Sequence, residues 1–269
     1  MTTTAERPAR PGARAAISAR TLRRDRWWLA PLLTVLGLSA WVIYAVVRVY
    51  LHKWYWVEDH HYLTPFYSPC ITDRCVPDAA HFGRVLPGWW IIPEAAFSLP
   101  FLLLFRLSCY YYRRAYYRSF WASPPACAVP DGHKRYTGET RLPLIFQNGH
   151  RYAFYAAVII SLINSFDAVV AFRGADGNVG FGLGNLILLG NVVMLWGYTV
   201  SCHSCRHILG GRLKHFSRHP VRYQLWTIVS KLNTRHMLLA WVTLGTLAVA
   251  DFYVMAVSAG WFPDPRFFN

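Results

Sequence analysis

The chain has 269 residues, of which 54% are hydrophobic and 16% aromatic, and it carries a formal charge of +15. A soluble basic domain does not gather its apolar residues into long uncharged runs, as this chain does. Its Lys and Arg fall between those runs, which argues against nucleic acid as a partner and makes the lipid bilayer the first one to consider.

The first 26 residues are polar and rich in Arg, Ala and Pro, with neither an apolar core nor a small-residue cleavage site. They read as a disordered basic cytoplasmic tail and not as a cleavable signal peptide. The rest, 27–269, reads as one transmembrane domain. A membrane-spanning helix needs roughly 20 mostly apolar residues. Segments 27–50, 89–109, 150–172, 182–205 and 236–260 meet that need to within a turn. Trp27, Trp28, Trp54, Trp56, Trp89, Trp90 and Trp261 mark their edges, as indoles do at the headgroup level. Pro93, Glu94, Pro100 and Arg106 interrupt the second segment, and neighbouring helices must re-satisfy the carbonyls freed there.

The tail and the connections 110–149 and 206–235 carry seven, six and seven Lys or Arg, against five on the other side. The positive-inside rule therefore places the N-terminus in the cytoplasm and, with five spans, the C-terminus outside. The predicted fold is an all-α membrane protein, a five-transmembrane-helix bundle. No internal repeat of 20 to 50 residues is visible, which argues against a secondary transporter.

With that topology, Cys109 ends the second span and His150 begins the third. Cys202, His203, Cys205 and His207 end the fourth, and His236 begins the fifth. Four helices thus present a Cys or His at one membrane face, where ionisable groups mark function by default. Taken alone, each residue has a simpler role: an interfacial hydrogen-bonding His, or a Cys acting as a small hydrophobe. If the fourth span continues as a helix, Cys202 and Cys205 share one face and His203 and His207 another, so one metal cannot take all four. A haem b would use His150 with His203 or His236. A Rieske-type [2Fe-2S] cluster would use Cys109, His150, Cys202 or Cys205, and His236, two thiolates and two imidazoles. A structural zinc accepts the same set but has no need of membrane depth. Cys70 and Cys75, in the outer loop, read as a loop-closing disulfide; Cys127, in an inner loop, is an alternative to Cys109.

Arg106, Arg151 and Tyr152 are candidates to bind a quinone headgroup at the cytoplasmic boundary, with interfacial snorkelling as the simpler alternative. Glu94, Asp167 and Asp251 lie within three different spans, where an ionised carboxylate costs on the order of 3 kcal/mol. They read either as a proton path to the quinone or as structural groups paired with Asn164, Asn185 or Asn191.

Four stretches carry a family resemblance. These are Tyr136-Thr-Gly-Glu-Thr-Arg-Leu-Pro-Leu-Ile-Phe-Gln-Asn-Gly-His150-Arg-Tyr, Ser201-Cys-His-Ser-Cys-Arg-His207, Arg218-His-Pro-Val-Arg, and the ending Asp264-Pro-Arg-Phe-Phe. Together they resemble the membrane-anchor subunit of actinobacterial succinate dehydrogenases, part of respiratory complex II, over most of the chain. The resemblance implies a plasma-membrane subunit that carries a flavoprotein and an iron–sulfur protein on its cytoplasmic face and reduces menaquinone, within a complex that can itself form a homo-oligomer. Many such anchors hold two haems b through His residues near both faces. Here the outer halves of the spans lack those His, and the surplus of Cys at the proximal position favours an iron–sulfur centre. The basic connections 110–149 and 206–235 then form a cationic platform for the soluble partners.

Overall fold

The computed structural model describes residues 23–130, 133 and 141–268. Residues 1–22 of the expected tail, and 136–140 of the first resembling stretch, lie outside the described residues.

Uncharged apolar runs become helices because a backbone in lipid must satisfy its own hydrogen bonds. In chain order the helices are α1 (Leu29–Leu51), α2 (Leu99–Leu107), α3 (Tyr110–Ser119), α4 (Arg141–Asn148), α5 (His150–Val170), α6 (Leu183–Val200), α7 (His203–Gly210), α8 (Pro220–Asn233) and α9 (His236–Ser258). Among the described residues four of them, α1, α5, α6 and α9, are long and apolar enough to cross a membrane. At 1.5 Å per residue the 21 residues of α5 reach about 32 Å, close to the ~30 Å hydrocarbon core.

The expected second span, 89–109, is not one helix. Residues 89–93 are not helical, because Pro93 disfavours helical geometry at Ile92. A 3-10 turn (Glu94–Phe97) leads into α2, which tolerates Pro100 in its first turn, where no N–H is needed. The segments 94–107 and 110–119 then bend by 73°, so a fifth crossing exists only as a broken span. Cys109 makes the bend with extended backbone, φ −69° and ψ 123°.

The expected fourth span, 182–205, stops at Val200 for a similar reason. Cys202 is extended, φ −63° and ψ 144°, and caps the separate helix α7. Cys202 and Cys205 are therefore not successive turns of one spanning helix.

The core forms where α6 packs on α9 and α5, and α2 packs on α5. Phe105, Cys109, Phe154, Leu195, Tyr198 and Cys202 are buried together there. α1 lies outside this core, packed on α3 and the 3-10 turn, with Leu33, Ile43 and Val47 exposed along its outer side.

The connection after α1 folds over the opposite end of the bundle from Cys109. It contains the antiparallel pair β1 (Trp56–Val57) and β2 (Tyr62–Leu63) and a buried Cys70–Cys75 disulfide with Cα atoms 5.8 Å apart. A second antiparallel pair, β3 (Phe181–Gly182) and β4 (Arg266–Phe268), returns the C-terminal segment to the start of α6. Asp264 anchors that return: its carboxylate accepts from Tyr253 Oη at 2.6 Å, Tyr62 Oη at 2.9 Å and Gly184 N at 2.8 Å. Gly184 is required because any Cβ there would strike the Tyr62 ring.

Candidate metal centre

The two helix breaks share a sequence. Phe105-Arg-Leu-Ser108-Cys109 and Tyr198-Thr-Val-Ser201-Cys202 both read aromatic-x-x-Ser-Cys. In each, a helix ends at the Ser and the Cys caps the next one with extended backbone.

The two breaks hold the two imidazoles reciprocally. Ser108 Oγ donates to Leu104 O at 2.6 Å, so its oxygen is left to accept from His150 Nδ1 at 2.8 Å. Ser201 Oγ donates to Tyr198 O at 2.9 Å and accepts from His236 Nδ1 at 2.7 Å. A hydroxyl has one proton, so both imidazoles must carry theirs on Nδ1. Both Nε2 lone pairs then face sulfur, His150 toward Cys202 Sγ at 3.1 Å and His236 toward Cys109 Sγ at 3.4 Å. The Ser of each break thus orients the His that meets the Cys of the other.

The aromatic position of each motif fixes ring orientation. Phe105 stacks on His150 with centroids 4.8 Å apart, and Tyr198 stacks on His236 at 4.9 Å. Phe105 and Tyr198 meet at 5.1 Å, and Arg106 lies over the Tyr198 ring at 4.7 Å. All four Cys and His side chains are buried. A cavity of about 410 Å³, lined by Cys109, His150, Arg151, His203, His207 and His236, adjoins them.

Neutral imidazoles with Nε2 presented and Nδ1–H held by a fixed acceptor are the form in which His binds metal. Among the described residues no three His, Cys, Asp or Glu converge on one point as a single ion demands. The donors stand instead as two Cys–His pairs, which suits a group with two metal atoms better than one zinc ion. Two thiols and two imidazoles also match a Rieske-type cluster in number and type. The touching Phe105 and Tyr198 rings fill the space between His150 and His236, which leaves no slot there for a haem macrocycle.

The other candidates separate from this group. Cys205 is half-buried on α7, and His203 is exposed there with its ring 5.0 Å from His207. Cys127 is exposed beside Arg118, lining a different cavity, and is not an alternative to Cys109. Arg151 and Tyr152 line the cavity with the imidazoles, Tyr152 being 76% exposed, whereas Arg106 also lines a second, apolar cavity.

Each carboxylate has its own partner, and none of them is Asn164, Asn185 or Asn191. Asp251 pairs with Arg48 at 2.6 Å and accepts from Tyr44 Oη at 2.6 Å. Asp167 lies 2.7 Å from His81 and accepts from Ser68, and Glu94 lies 3.2 Å from His52 and accepts from Thr72. Ser108 and Ser201 were missed from sequence; the repeated pentapeptide was the signal that pointed to them.

Among curated proteins none matches. A chain of the solved Mycobacterium smegmatis Sdh1 complex in the apo form is 64% identical, with a TM-score of 0.88 over 95% of this chain and 97% of that one. The family model for actinobacterial succinate dehydrogenase subunit SdhC matches residues 29–260. Helical architecture, a solved chain of the same fold and a family match across the whole bundle agree: this chain belongs to the actinobacterial succinate dehydrogenase SdhC family.

Proposed function

We propose that this subunit delivers the electrons of succinate to menaquinone, and that Cys109, His150, Cys202 and His236 hold a Rieske-type [2Fe-2S] cluster in its membrane domain. As an SdhC it is the membrane subunit of a succinate:quinone oxidoreductase in the plasma membrane, with a flavoprotein and an iron–sulfur protein as partners. The observation that carries the cluster reading is the reciprocal pairing of two buried thiols with two Nε2 lone pairs, each imidazole locked by a serine.

Bound there, such a cluster supplies a one-electron relay. The residues themselves exclude water, orient the two imidazoles through Ser108 and Ser201, and keep the Nδ1 protons in place. We place this end of the bundle at the cytoplasm, the N-terminus inside and the C-terminus outside, on the distribution of Lys and Arg between the connections. The chain is then a basic tail over 1–26 and one transmembrane domain over 27–269, with the bent 94–107 and 110–119 pair as the second of five spans.

The test is electron paramagnetic resonance of the purified, reduced complex together with a reduced-minus-oxidised optical spectrum. The expected result is an anisotropic Rieske-type signal that disappears in the His150→Ala/His236→Ala variant along with quinone reduction. Sharp haem b bands, or a signal that survives in that variant, would overturn the assignment.

A further inference from the structure

A second cavity, of about 530 Å³, lies between α1, α2, α3 and α9. Leu38, Trp41, Leu103, Arg106, Tyr112 and Trp121 are among the residues that line it. Leu103 and Trp121 are also exposed on the outer surface, so the cavity opens through apolar residues toward lipid. Leu107 and Tyr112, which flank Cys109 in sequence, both line it. It therefore adjoins the proposed cluster from the side of the bilayer.

Two polar groups stand in these apolar walls. Tyr112 is 3% exposed, and its hydroxyl has no hydrogen-bond partner among the described residues. Leaving such a donor unpaired costs roughly 1–3 kcal/mol, so an acceptor brought by a ligand is favoured at that point. Arg106, 6% exposed, is fixed by donating to Ala240 O at 2.7 Å and by its place over Tyr198. Trp41 and Trp121 add flat apolar walls.

We propose that this cavity is the quinone site, with Tyr112 donating to a ring carbonyl oxygen, Arg106 supplying a fixed positive charge, and the isoprenoid tail leaving into lipid. The inference rests on the reading that this subunit reduces a quinone. A flat apolar ring edged by carbonyl acceptors matches one unpaired donor and one cation in an apolar slot. Arg151 and Tyr152 face a polar cavity and offer no such enclosure. Reduction adds two electrons, released by succinate oxidation in the flavoprotein partner, and two protons from water, giving the quinol. Tyr112 keeps its own proton and forms no covalent bond.

The experiment uses the purified complex with a short-chain naphthoquinone and its azido derivative as a photolabel. Tyr112→Phe raises KM for the naphthoquinone about tenfold with kcat nearly unchanged, the factor of one lost hydrogen bond of ~1.4 kcal/mol. Leu103→Trp fills the slot and removes photolabel from the α1 and α3 peptides. An unchanged KM in Tyr112→Phe overturns the proposal, as does photolabel on the peptide containing Arg151 and Tyr152 or labelling indifferent to Leu103→Trp. Paramagnetic resonance on the same samples separates the two readings. A wild-type complex without a cluster signal defeats the ligand assignment, while the label position still decides the quinone site.

Discussion

His236 Nε2 stands 3.4 Å from Cys109 Sγ, although 127 residues separate them in sequence. Cys109 reaches that position only because α2 ends one residue earlier and its own backbone is extended. His236 is the first residue of α9, and Ser201, from the other break, holds its far nitrogen. A replacement that restores a continuous helix through either break therefore displaces a sulfur from its imidazole.

The two cysteines after Ser201 are expected to differ sharply. Cys202 is fully buried against His150, whereas Cys205 lies half-buried on α7. Cys202→Ser should abolish the paramagnetic signal and reduce quinone reduction at least tenfold, while Cys205→Ser keeps both. The reverse pattern in spectra of the two variants would transfer the ligand role to Cys205.

Ser108 and Ser201 are expected to set the potential of the centre. Without its hydroxyl acceptor an imidazole becomes a weaker electron donor, so Ser108→Ala and Ser201→Ala should each raise the midpoint potential with the signal retained. A lost interaction of ~1.4 kcal/mol corresponds to about 59 mV for a one-electron couple. Redox titration followed by paramagnetic resonance measures it; unchanged potentials in both variants would reduce the serines to packing.

The Arg48–Asp251 pair is almost wholly buried, at 1% and 0% side-chain exposure. Asp251→Ala leaves a guanidinium without its counter-charge and should destabilise the subunit by about 3–5 kcal/mol. Replacing both, Arg48→Met with Asp251→Leu, should recover most of that loss, because desolvation offsets much of a buried pair's attraction. Thermal unfolding of the detergent-solubilised complex compares them. If the double variant is as unstable as the single one, the pair contributes more than its charges.

At the opposite end of the bundle, Gly184→Ala should destabilise the chain by forcing the Tyr62 ring off Asp264, whereas Gly190→Ala, with nothing within 4 Å of the added carbon, should be close to neutral. Both sit on α6, so helix propensity is matched and only the close approach differs. Equal melting temperatures for the two variants would contradict the role given to the Asp264 anchor.

Composition and hydropathy alone determined that this is a helical membrane protein, and local motifs were enough to reach its family. Those signals are local: a run of apolar residues forms a helix in lipid whatever lies beside it. They also placed α1, α5, α6 and α9 to within a few residues. Local signals failed at 89–109 and 182–205, where hydropathy persists through Ser108-Cys109 and Ser201-Cys202 although the backbone turns extended. Partners across the bundle were equally hidden. Nothing near Asp251 in sequence points to Arg48, 203 residues away, and nothing near Tyr112 shows that its hydroxyl is left unpaired. Of the six residues named as metal ligands, only the packing of α2, α5, α6 and α9 separates the four that meet from Cys205 and His203. Which sulfur faces which nitrogen depends on where helices cross, and a one-dimensional pattern holds no record of crossing geometry.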